Sequence, residues 1–84
     1  MTYEVLAESG ELEISESSRI KLQVKKAKED SIGLDIRLFV STKKYTGPTR
    51  KGVFWPASTV EDVERFQAAL DKLCEDAKKV LTHG

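Results

Sequence analysis

Residues 34–55 read LDIRLFVSTKKYTGPTRKGVFW, and the first seven of them decide the fold. Strict alternation sends Leu34, Ile36, Leu38 and Val40 to one side of a strand and Asp35, Arg37, Phe39 and Ser41 to the other. The first set is a core face. The second is expected to meet water, yet it places a large aromatic beside an arginine, and the basic run Lys43-Lys44-Tyr45 follows at once. Beyond this strand, Ser41 to Thr49 is expected to form a long, mobile loop in which Gly47-Pro48 makes a turn or irregular segment. Arg50 to Trp55 is short enough for a further strand, with Phe54 on the polar side if Val53 and Trp55 point inward.

The same alternation recurs upstream. Leu12 and Ile14 alternate with Glu11, Glu13 and Ser15, giving a short strand that the serine-rich stretch 15–18 ends or bends. Ile20, Leu22 and Val24 alternate with Lys21, Gln23 and Lys25, and the polar segment KKAKEDSIG turns the chain back into the strand at Leu34. Downstream the period changes. Val60, Val63, Phe66, Leu70, Leu73, Ala77 and Val80 or Leu81 recur at steps of three and four, the apolar stripe of a helix. Ser58 with Glu61 reads as its capping box, and Lys78 and Lys79 suit the negative end of its dipole. The expected architecture is a single α+β domain over residues 1–84: an irregular 1–10, a four-stranded antiparallel sheet over 11–55 and one long amphipathic helix over 58–82. Such a sheet lays its apolar face on the helix and leaves the face with Lys21, Gln23, Lys25, Arg37 and Phe39 open.

With 39% hydrophobic and 33% charged residues in 84, the chain has the composition of a small soluble domain with a thin core. The N-terminal MTYEVLAESG lacks a basic segment followed by an apolar stretch, so no signal peptide is expected, and the expected location is cytoplasmic or nucleoid-associated, or nuclear in a eukaryote. The formal net charge is zero, but the charges are segregated. Residues 1–18 carry five acids (Glu4, Glu8, Glu11, Glu13, Glu16) and no base, whereas 19–51 carry ten bases against three acids. A basic middle of this kind suits a polyanion, or a solvated sheet face.

Catalysis is not expected. His83, the only histidine, is next to the last residue, the serines have no partner base, and no glycine-rich phosphate loop joins a strand to a helix. Cys74 is the only cysteine, which rules out an internal disulfide or a cysteine zinc cluster; no metal or cofactor is expected. Binding remains. Single-stranded nucleic acid exposes phosphates and the flat faces of unpaired bases, and a surface that holds it combines cations with aromatic platforms. Phe39, Phe54 and Tyr45 are the candidate platforms, and Lys21, Lys25, Arg37, Lys43, Lys44, Arg50 and Lys51 the candidate phosphate ligands. The alternative for Phe39 and Phe54 is cover by the loop or by a second subunit. The helix is mixed to acidic along its polar side, unlike one that reads a duplex in the major groove. Its apolar band, with Phe66, Leu70, Leu73, Cys74 and Ala77, is wider than one small sheet covers, so these residues are the expected interface of a homodimer.

The run LDIRLF, a loop, RKGVFW and a closing amphipathic helix resemble the Positive Cofactor Four family of single-stranded-DNA-binding transcriptional coactivators. The resemblance covers about Leu12 to Leu81, with its strongest matches at Asp35-Ile36-Arg37, Phe39 and Arg50-Lys51-Gly52-Val53, and a looser one at Leu22-Gln23-Val24-Lys25. It implies a curved four-stranded sheet, a C-terminal helix, and a homodimer whose two sheets form grooves for single strands, with Arg37, Lys25, Arg50 and Lys51 on the DNA backbone. At Val40 the family commonly has a stacking tryptophan; here stacking falls to Phe39, Phe54 or Tyr45. The function expected is single-stranded DNA binding with little sequence preference, in transcription, replication or repair and in company with proteins of those processes. The alternatives are a protein–protein interaction module and single-stranded RNA binding.

Overall fold

The structure, a computed structural model, describes residues 4–83. Four strands, β1 (Val5–Ser15), β2 (Ser18–Lys26), β3 (Ile32–Ser41) and β4 (Thr46–Ala57), precede one helix, α1 (Val60–His83). The strands form an antiparallel sheet in sequence order. This is the expected α+β class: four strands with alternating pattern, then a helix.

β2 and β3 pair without a break from Ser18↔Val40 to Lys26↔Ile32. Residues directly opposite share a face, so Ile20, Leu22, Val24, Leu34, Ile36 and Leu38 line one side. Val53 and Trp55, opposite Ile36 and Leu34, extend that side into β4.

Three boundaries differ from the sequence expectation. Strand β1 begins at Val5, so residues 5–10 are sheet and not irregular; its pairing with β2 shifts register three times, and those shifts blur the period-2 signal that marks a strand. The connection after β3 is a short hairpin turn, not a long loop. The Thr42 amide donates to the Tyr45 carbonyl at 2.8 Å and the Thr42 hydroxyl accepts from the Tyr45 amide at 3.1 Å, while the Tyr45 hydroxyl donates to the Pro48 carbonyl. Gly47 and Pro48 lie in β4, paired with Val40 and Phe39; β4 is an edge strand, where a proline removes no ladder bond. Finally, α1 is capped one residue later than expected. The Asp62 amide donates to the Thr59 hydroxyl at 3.2 Å, and the Asp62 carboxylate accepts from the amides of Thr59 at 3.2 Å and Ser58 at 2.9 Å. Thr59 and Asp62 thus form the reciprocal pair assigned above to Ser58 and Glu61. These two amides hold the Asp62 carboxyl below its ordinary pKa.

The first turns of α1 dock on β4. Trp55 stacks on Phe66 with ring centroids 5.5 Å apart, its indole N–H donates to the Asp62 carbonyl at 3.1 Å, and the Arg65 guanidinium lies 5.8 Å from its ring centre. Farther along, the helix backbone approaches no other strand. A groove of about 360 Å³ stays open between Leu22, Val24, Leu34 and Ile36 on the sheet and Val63, Phe66 and Leu70 on the helix. The radius of gyration is 14.9 Å, against about 12 Å for a compact domain of this length. Ala57 is the only buried apolar side chain among the described residues, and none of α1 is buried. Leu73, Val80 and Leu81 are 63%, 69% and 83% exposed, so the second half of the helix stripe has no cover within the chain.

Candidate nucleic-acid interface

The polar side of the sheet is a continuous surface built from all four strands. Register places Glu13 opposite Arg19, Glu11 opposite Lys21 and Glu8 opposite Gln23. The next rung pairs Arg19 with Phe39, Lys21 with Arg37 and Gln23 with Asp35, and the last sets Asp35 against Phe54 and Arg37 against Gly52. The sequence expectation for this face therefore holds geometrically: Lys21, Gln23, Lys25, Arg37, Phe39 and Phe54 stand together on the side opposite the helix.

Asp35 organises its centre. Its side chain is 1% exposed, with Lys25 Nζ at 2.9 Å on one side and the Arg37 guanidinium at 2.9 and 3.2 Å on the other. Burial raises the cost of its charge, but hydrogen bonds from Arg37 and Lys25 and their positive charges more than offset this, so its carboxyl is held below the ordinary range. Arg37 also donates from Nη1 to the Thr49 carbonyl at 3.1 Å. Gly52 lets it lie there: a Cβ at that position would stand 3.2 Å from the guanidinium carbon and 2.5 Å from the Ile36 carbonyl oxygen. Sequence reasoning set Lys25 and Arg37 on phosphates and gave Asp35 no part. The structure spends much of their hydrogen-bonding capacity inside the face, and the missed residue is Asp35, whose position between two cations on the same side was the available signal.

The other cations are differently disposed. Lys21 Nζ lies 4.6 Å from the centre of the Phe39 ring, a cation–π contact. Arg19, Lys21 and Phe39, with Val40, Thr46 and Gly47, line a shallow groove of about 330 Å³. Lys43, Lys44, Arg50 and Lys51 are exposed on the β3–β4 hairpin, and among the described residues no carboxylate pairs with them. Tyr45 is half exposed at the hairpin tip, with its hydroxyl tied back to Pro48. Phe54 lies across Gly33, where an added Cβ would stand 1.9 Å from the ring. Gly33 thus lets the ring rest flat on the sheet.

The expected dimer residues divide into two groups. Phe66 and Leu70 are half-buried over the sheet, while Leu73, Cys74 and Ala77 are exposed. Among the described residues no group of three or more metal-ligating side chains converges, and no helix is long and apolar enough to cross a membrane.

No family model matches the chain, and no curated protein or solved structure is significantly similar to it.

Proposed function

We propose that this protein is a homodimer that binds single-stranded DNA, with little sequence preference, on the polar face of its sheet. The observation that carries the reading is the groove beside Phe39: an aromatic ring on the water-facing side of a sheet, with Lys21 over it, Arg19 beside it and the basic hairpin Lys43-Lys44 at its end. A base stacks on such a ring, cations take the flanking phosphates, and neither contact reads sequence. The resemblance of LDIRLF and RKGVFW to the single-stranded-DNA-binding coactivators supports the same reading, and with it a role in transcription, replication or repair.

The second copy covers what one chain leaves open. The groove under Val63, Phe66 and Leu70 and the stripe through Leu73 and Ala77 belong to the same molecule, so a two-fold pair buries both kinds of surface in one self-complementary interface. The polar faces then stay accessible on both protomers.

Titration of a labelled single-stranded oligonucleotide at several salt concentrations tests the binding. Affinity that falls steeply with salt supports it; absent or salt-independent binding rejects it. An RNA of the same sequence, run in parallel, decides between the two kinds of single strand.

A further inference from the structure

Strand β1 supplies the polar face with carboxylates rather than cations. Glu8, Glu11 and Glu13 stand opposite Gln23, Lys21 and Arg19, on the same side of the sheet as Phe39 and Arg37. Two of them engage that rung directly: Glu11 pairs with Arg19 at 3.2 Å, and Glu8 accepts a hydrogen bond from Gln23 at 2.7 Å. Across the sheet, Asp35 is already matched by Lys25 and Arg37, and the hairpin adds Lys43, Lys44, Arg50 and Lys51. The face is thus divided lengthwise, negative along the β1 edge and positive from β2 to β4.

We propose that this division makes Glu8, Glu11 and Glu13 the residues that reject duplex DNA. The inference rests on the reading of the face as a single-strand site. Strands lie about 4.8 Å apart, which puts the β1 carboxylates about 10 Å from the β3 row. The two backbones of a duplex are separated by about 6 Å across the minor groove and 12 Å across the major groove. A duplex with one backbone on the basic side therefore sets the other above the three carboxylates. Turned the opposite way, its second backbone hangs beyond β4, the last strand, and gains nothing while its bases remain stacked. A single strand has no second backbone and follows the basic side alone.

The test compares wild type with the variant Glu8→Gln/Glu11→Gln/Glu13→Gln, titrating one labelled single strand and the duplex of the same sequence at fixed salt. Each like-charge contact removed is worth about a factor of two to three at an exposed site, so three compound to about tenfold. Duplex affinity is expected to rise about tenfold and single-strand affinity less than about threefold. The three single variants divide the effect and serve if the triple variant does not fold. A control with the same change in net charge, Glu29→Gln/Asp30→Asn/Glu64→Gln, lies off this face and should leave the ratio of the two affinities unchanged. An equal rise for both ligands, an unaltered duplex affinity, or a control that shifts the ratio equally overturns the inference while the single-strand reading stands. Wild type that binds the duplex as well as the single strand overturns it too. Failure of wild type to hold any single strand rejects the underlying reading, and this inference with it.

Discussion

Asp35 pairs with two cations, Lys25 and Arg37, from a position almost closed to water. Replacing it by asparagine keeps the shape but leaves Lys25 and Arg37 without their counter-charge. Removing one partner of a buried ion pair costs about 3 kcal/mol or more, and the partial exposure of the two cations, 15% and 21%, puts Asp35→Asn near that lower figure. The pH dependence has a definite sign. A carboxyl held below its ordinary value of 3.8 contributes its full stability above that value and loses it as pH falls through the lowered folded pKa. Wild type should therefore lose stability on acidification in that window, and Asp35→Asn should lose less; denaturant melts at several pH values measure both. Phe39 belongs to the same scale. Phe39→Ala should weaken single-strand binding about tenfold, since a stacked aromatic is worth roughly 1–3 kcal/mol per base, and a melt of the same variant separates lost affinity from lost fold. That Arg37 and Phe39 share a face was legible from alternation alone. The Asp35–Arg37 pair, two residues apart on that face, could be read the same way, but the pair with Lys25 could not, because cross-strand neighbours depend on register, which a period of two leaves open.

Among the elements, the β3–β4 hairpin departs furthest from the sequence expectation. Gly and Pro together signal a break, yet on an edge strand Pro48 is tolerated and the turn closes through Thr42 and Tyr45 instead. Its lysines take no part in that closure, which separates their electrostatic role from folding. Lys43→Ala/Lys44→Ala should flatten the slope of log affinity against log salt by about 1.4 for each hairpin engaged, at about 0.7 per phosphate. Its stability should change by less than about 0.5 kcal/mol, so salt titration and thermal melting of one variant check both halves. The helix was legible almost to its ends, because a stripe at steps of three and four over twenty residues has no strand interpretation. Its cap was displaced by one residue because Ser58 and Thr59 are both competent caps, and the choice between them rests on where Asp62 points.

For the whole molecule, the decisive feature is how little one chain buries. A sheet whose apolar side is covered only near β4, and a helix that leaves Leu73, Val80 and Leu81 in water, do not make a complete core. Sedimentation equilibrium should give twice the chain mass of 9.4 kDa. Leu73→Asp places a charge on the uncovered stripe without touching the sheet, and a loss of about 2 kcal/mol at an interface anchor would weaken dimerisation roughly thirtyfold. A wild-type monomer at high micromolar concentration would contradict the dimer. Composition predicted a thin core; that one chain leaves so much of its apolar surface uncovered is visible only in the helix leaving the sheet.

The central claim, that nucleic acid lies on the polar face along β2 to β4, is tested most directly by amide chemical shifts of the isotope-labelled protein titrated with a short single-stranded oligonucleotide. The largest changes should fall on Lys21, Phe39, Lys43, Lys44, Tyr45, Arg50 and Lys51, with little change along α1. Changes concentrated on α1 and the apolar groove, or none at all, would contradict it.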